Sequence, residues 1–192
     1  MNTRTIAIIV AFAALTIVLN PVSVPALYAP FSYRIWEIPI VAAFLLFGFK
    51  IAVSILVLNA GVRFALFPGS TGVLGPPWAV VVTLSMLLGV YLASKLITRR
   101  VTQGKPLPGN KPTVDLTTLG IIFRTGIMLP VDYAVFRYLF PLVLGRNLPE
   151  AVIIALLPGD LLFNITVPLY VIPIAYLMTK TVSRNLKVGN KF

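Results

Sequence analysis

Six apolar stretches alternate with short polar or proline-rich breaks along the chain. They run roughly Thr5–Leu19, Ile35–Phe49, Ile51–Phe67, Pro77–Ile97, Leu116–Leu144 and Ala151–Met178. A helix needs about 20 residues to cross a bilayer core of about 30 Å, so the last three are long enough. The first is shorter and is stopped by Pro21 and Pro25. Taken as one helix, the 33 residues from Ile35 to Phe67 would run about 50 Å, too long for one ordinary crossing. The pattern therefore predicts two helices broken near Gly48-Phe49-Lys50. The expected architecture is all-α: a bundle of six transmembrane helices forming a single membrane domain over residues 1–192.

Composition strengthens this reading. Of the 192 residues, 58% are hydrophobic and 11% charged, where a soluble domain carries about a quarter charged. No soluble core of this size could hide so much apolar surface. The chain has no cysteine and no histidine, which removes disulfides, thiolate and imidazole metal sites, and nucleophile–imidazole pairs. Five acidic residues leave little for paired-carboxylate chemistry or a nucleotide–metal site. No cofactor is expected.

The net charge of +11 suggests nucleic acid at first sight, but in so apolar a chain basic loops usually set membrane orientation. With six spans and both termini inside, the cytoplasm collects Arg4, Lys50, the Lys95–Lys111 segment and the Lys180–Lys191 tail. Only Arg34 and Arg146 stay outside. Five spans would export the basic loop. The positive-inside rule therefore selects six spans with both termini cytoplasmic, in a multi-pass protein of a prokaryotic plasma membrane, with lipid rather than nucleic acid as its surroundings. Residues 98–115, with Pro106, Pro108 and Pro112, read as a cytoplasmic linker between two halves. No repeat relates those halves, so an inverted-repeat transporter gains no support. The N-terminus lacks an A-x-A cleavage pattern, and the first helix is read as retained.

Ionisable residues inside a membrane cost at least about 2.5–3.5 kcal/mol each and call for a reason. Glu37 stands at the outer start of the second span, and Asn59 and Arg63 lie one turn apart in the outer half of the third. Asp132 and Arg137 fall in the outer half of the fifth, while Asp160 and Asn164 share a face of the sixth at i,i+4 spacing. Arg124 is set apart, nearer the cytoplasmic end of its helix. Two readings stay open. These charges neutralise one another inside the bundle, or they line a polar pocket open to the outside.

Two loops favour a pocket. Asn20–Arg34 is stiff and aromatic, with Tyr28, Phe31 and Tyr33 among its prolines. The Pro68–Trp78 segment is glycine-rich, and Trp78 could stack on a planar ligand. It is no phosphate-binding loop, since no Gly-Lys-Ser/Thr follows. On the first span, Ala7, Ala11 and Ala14 form a smooth stripe that admits close helix approach. That stripe serves either a partner or packing within the bundle.

Taken together, the layout resembles the substrate-binding S component of energy-coupling factor (ECF) vitamin transporters. The resemblance rests on Ala7-x-x-x-Ala11, Ile35-Trp-Glu-Ile-Pro39, the NAGVRFALFPGSTG run from Asn59 to Gly72, and Pro158-Gly-Asp-Leu-Leu-Phe-Asn164. Within that family it is most similar to the riboflavin type, through the acidic-Ile-Pro opening of the second span and the Gly-Ser-Thr-Gly turn. Asp160 and Phe163 stand where the riboflavin type has an Asn and a Lys, so the mid-span cation is absent here. The resemblance implies capture of a vitamin or vitamin-like molecule from outside, with riboflavin the first to test. It implies a transmembrane coupling subunit and two cytoplasmic ATPase subunits as partners, which would carry out ATP hydrolysis. It also implies that Ala7 and Ala11, with Ala14 extending their stripe, form the docking face. Substrate would be held by Glu37, Asn59, Arg63, Trp78, Asp132, Asp160 and Asn164. The competing class is an intramembrane enzyme acting on lipid through Asp132 or Asp160, for which no nucleophile–base pair or acidic metal cluster is present.

Overall fold

A computed structural model of the chain describes residues 2–26, 32–66, 72–103 and 112–186. Seven helices account for most of these residues: α1 (Thr3–Leu19), α2 (Glu37–Phe47), α3 (Phe49–Leu66), α4 (Gly75–Thr102), α5 (Pro112–Ala134), α6 (Phe140–Leu144) and α7 (Glu150–Leu186). A π-helical turn, Val135–Leu139, joins α5 to α6, so the two run on as one rod. Four helical segments are long and apolar enough to cross a membrane: Phe49–Leu66, Gly72–Thr102, Pro112–Leu144 and Glu150–Arg184. Thr3–Leu19 and Glu37–Phe47 are shorter apolar helices. The architecture is that of a helical membrane protein.

The helix boundaries follow local chemistry. Gly48 sits at φ 96° and closes α2, its N–H donating to Phe44 O at 2.8 Å. Only glycine adopts that backbone without strain, so the chain breaks there and starts α3 at Phe49. α4 runs to Thr102 and α5 starts at Pro112, so helix extends into both ends of the segment read as linker. Arg99 and Arg100 in the last turn of α4 match the negative end of its dipole. Pro112 suits the first position of α5, where no N–H is needed. Residues 104–111 of that segment lie outside the described residues.

α2 is the central element. Every residue from Trp36 to Leu45 is buried, a pattern expected of a short helix surrounded on all sides. It packs against α1, α3, α4 and α7. α4 and α5 cross at their closest at Gly89, where a Cβ would collide with the Leu119 carbonyl oxygen and lie 2.9 Å from Gly120 Cα. That approach exists because neither position carries a side chain.

Between α1 and α2 the chain forms a small antiparallel hairpin, β1 (Ser23–Pro25) with β2 (Ser32–Arg34), pairing Val24 with Tyr33. The sequence predicts only a stiff loop here, because Pro21 and Pro25 disfavour an interior strand; a two-stranded edge ribbon tolerates them. Tyr33 stacks on Phe163 of α7 with ring centroids 5.5 Å apart. Tyr170 of α7 donates its hydroxyl to the Arg34 carbonyl at 2.8 Å. These contacts clamp the hairpin onto α7. Tyr28 and Phe31, expected in the same aromatic loop, lie outside the described residues.

Candidate functional site

One side of the bundle gathers β2, the start of α2, the last turn of α3, the start of α4, the later part of α5 and the Asp160–Tyr170 stretch of α7. A cavity of about 460 Å³ opens there and reaches down to Arg124, Asn164 and Val167. Its size is ordinary for a small-molecule site. Seven ionisable side chains line it: Arg34, Arg63, Arg124 and Arg146, with Glu37, Asp132 and Asp160.

The floor is a connected polar network. Glu37 is the first residue of α2, where the positive end of the helix dipole favours a carboxylate. Arg124 reaches it from α5, with Nη1 donating to Oε2 at 2.6 Å and Nη2 to Oε1 at 3.5 Å. Both side chains are buried, and this is the one ion pair among the described residues. Arg124 Nε also donates to Asn164 Oδ1 at 3.1 Å. Asn164 Nδ2 turns to the acidic side, donating to Asp160 Oδ1 at 3.0 Å and Asp132 Oδ2 at 3.5 Å. The i,i+4 spacing of Asp160 and Asn164 on α7 makes the first of these contacts local. Trp78 Nε1 then donates to Asp132 Oδ1 at 2.6 Å. A single chain of hydrogen bonds thus joins α2, α5, α7 and α4, and such networks fix side-chain geometry.

Aromatic groups form the walls. Trp78 meets Phe136 and Phe140 edge-on, with centroids at 5.4 Å and 6.0 Å. Phe136 lies within the π turn and Phe140 directly follows it, its N–H bonding to Val135 O. Pro141 follows directly and would crowd the Arg137 carbonyl in a regular helix, so a widened turn there is the relaxed solution. On the opposite wall the Arg63 guanidinium lies 4.9 Å from the centre of the Trp36 ring.

Of the residues singled out from sequence, Glu37, Arg63, Trp78, Asp132, Asp160 and Asn164 all line this cavity. Asn59 does not. It is buried between helices, and its Oδ1 accepts from Asn20 Nδ2 at 2.7 Å, tying α3 to the end of α1. Arg137, one candidate partner for the buried acids, is exposed on the outside of the bundle. The residue that sequence reasoning set aside is Arg124, which proves to be the hub of the floor. The Gly-Ser-Thr turn before Gly72 lies outside the described residues. Ala7, Ala11 and Ala14 are exposed on α1, while Ile9, Ala13 and Thr16 face the bundle.

No protein-family model matches the chain, and no curated protein is similar to it in sequence. Its backbone is similar to a solved structure, the S component of a bacterial ECF transporter. The TM-score is 0.75 at 17% identity, and the match covers 97% of this chain and 99% of that one. At such identity the likeness is one of fold.

Proposed function

We propose that the chain is the substrate-binding S component of an ECF-type importer, a multi-pass protein of a prokaryotic plasma membrane. In this reading it has six spans with both termini cytoplasmic. It captures a vitamin or vitamin-like molecule from outside and passes it on with the help of a transmembrane coupling subunit and two ATPase subunits. The observation that carries the reading is the cavity. A chain with an S-component fold places a 460 Å³ aromatic-walled pocket over a buried hydrogen-bonded floor, at the end of the bundle away from its most basic helix end. Packing alone does not call for a cavity lined by seven ionisable groups, since holding such groups in a bilayer costs free energy.

Glu37, Arg63, Trp78, Asp132, Asp160 and Asn164, together with Arg124, supply the polar contacts. Trp78 and the paired phenylalanines supply flat apolar faces for a planar ring. Asn59 enters this scheme only as a support, through its bond to Asn20. Ala7, Ala11 and Ala14 offer the coupling subunit a face without bulk.

The test is direct. The chain is purified from membranes and the small molecule it carries is identified by mass spectrometry. Riboflavin is titrated in parallel, and binding no tighter than millimolar retires riboflavin alone. A chain that carries no small molecule and binds none overturns the reading.

A further inference from the structure

Among the described residues, Arg63 is a cavity-lining arginine whose guanidinium meets no protein acceptor. It is 7% exposed, it lines the cavity, and its guanidinium carries five N–H donors. Among the described residues it makes no ion pair and no hydrogen bond, and it lies over the face of Trp36. Its charged neighbours are Arg34, which repels it, and Glu37, which is committed to Arg124. Its nitrogens are open to the cavity rather than held by a protein acceptor, and the stacked indole offsets only part of the cost of keeping the charge there.

The imbalance extends over the whole mouth. Arg34 on β2 and Arg146 before α7 line the same cavity as Arg63. The three acids stand apart from this group: Glu37 is paired, and Asp132 and Asp160 are bound together through Asn164. Arg63, Arg34 and Arg146 therefore form a cationic rim that makes no ion pair among the described residues. The fold holds Arg63 in place from outside the cavity, since α3 is anchored by Asn59 to Asn20 and the hairpin is clamped to α7. A charge held rigid and unpaired at the mouth of a pocket is a preorganised electrostatic site.

We propose that Arg63, with Arg34 and Arg146 around it, is an anion subsite, and that the ligand of this cavity carries a carboxylate or phosphate. This rests on the substrate-binding reading and narrows it, because it disfavours neutral riboflavin against an acidic ligand of similar shape.

The experiment uses the full chain in detergent, with tryptophan emission as the signal, since Trp36 and Trp78 are its two tryptophans and both line the cavity. The probes are inorganic phosphate, 4-aminobenzoate and the neutral ethyl ester of 4-aminobenzoate. The acid is expected to bind about 10- to 100-fold more tightly than the ester, the range of a charge-assisted hydrogen bond. Phosphate should compete with it. Arg63→Gln should bring the acid down to the level of the ester without lowering the thermal midpoint of the ligand-free chain. Arg63→Lys should restore part of the difference, and exposed Arg137→Gln should leave it intact.

Equal binding of acid and ester, no response to either anion at millimolar concentration, or a neutral or cationic molecule found in the purified chain overturns the anion subsite. All three leave the substrate-binding reading standing. The acid–ester comparison needs no variant, so the proposal stays testable even if Arg63→Gln fails to fold. Retention of the difference in folded Arg63→Gln overturns it too.

Discussion

Arg124 Nη1 donates to Glu37 Oε2 at 2.6 Å, tying the interior of α5 to the first residue of α2 with both side chains buried. Their attraction is strong because both are largely shielded from water, and the same burial makes either one alone a liability. Glu37→Gln or Arg124→Met alone should therefore cost about 3–5 kcal/mol and reduce folded yield sharply. The double variant Glu37→Leu with Arg124→Met removes both charges and should recover most of the stability. It should not recover ligand binding, because Asn164 and the cavity floor lose their donor. Thermal unfolding and ligand titration on the three variants check this, and a double variant that binds normally would show the pair to be structural only.

How much of this was legible in the sequence differs from residue to residue. The break at Gly48 was visible, since a 33-residue apolar run cannot cross once and only glycine offers the required φ. The clustering of Glu37, Arg63, Asp132, Asp160 and Asn164 was also within reach, because counting from the helix ends puts most of them in the outer half of the bundle. Arg124 was lost by the same counting. Its backbone lies far from the cavity mouth along α5, but an arginine side chain is long, and α2 begins so deep in the bundle that Glu37 meets it. Asn59 was misgrouped for the complementary reason. Depth along α3 says nothing of which face a residue takes, and Asn59 faces α1. The hairpin could not be read at all: three-residue strands bounded by prolines leave no period to detect.

The crossing of α4 and α5 yields a prediction about stability alone. Gly89 touches the Leu119 carbonyl and the Gly120 backbone, so a methyl group there meets atoms that cannot swing aside. Gly89→Ala should cost about 1–3 kcal/mol through overpacking. Gly126 on the same helix as Leu119 has nothing within 4 Å of its Cβ position, and Gly126→Ala should be neutral or gain up to about 1 kcal/mol. Thermal midpoints of the two variants compare them directly. Equal midpoints would mean that the helices do not approach as closely as described.

Orientation in the membrane rests on the distribution of basic residues and can be tested in the intact cell. The chain has no cysteine, so single cysteines report without interference. Gln103 and Asn147 are both exposed, the first after α4 and the second before α7. Gln103→Cys should react with an impermeant maleimide only after the membrane is opened, and Asn147→Cys should react in whole cells. Labelling of both from one side would reject the six-span arrangement with cytoplasmic termini.

The alanine stripe separates a transporter subunit from a self-sufficient protein. Ala7, Ala11 and Ala14 are exposed, while Ile9, Ala13 and Thr16 on the other face of α1 are buried. The stripe therefore does little packing within its own bundle, and a large side chain there has room in the isolated chain. A partner helix seated on it would be pushed away, because close backbone approach in lipid depends on small residues. Ala7→Trp and Ala11→Trp should accordingly leave folding and ligand binding nearly unchanged and abolish uptake in cells. Ala13→Trp is the control, since it forces an indole into the bundle and should lower folded yield, binding and uptake together. Binding and uptake measured on all three variants decide the matter. Full uptake by both exposed-face variants would reject the docking role, and loss of binding in them would return the alanines to the structural account.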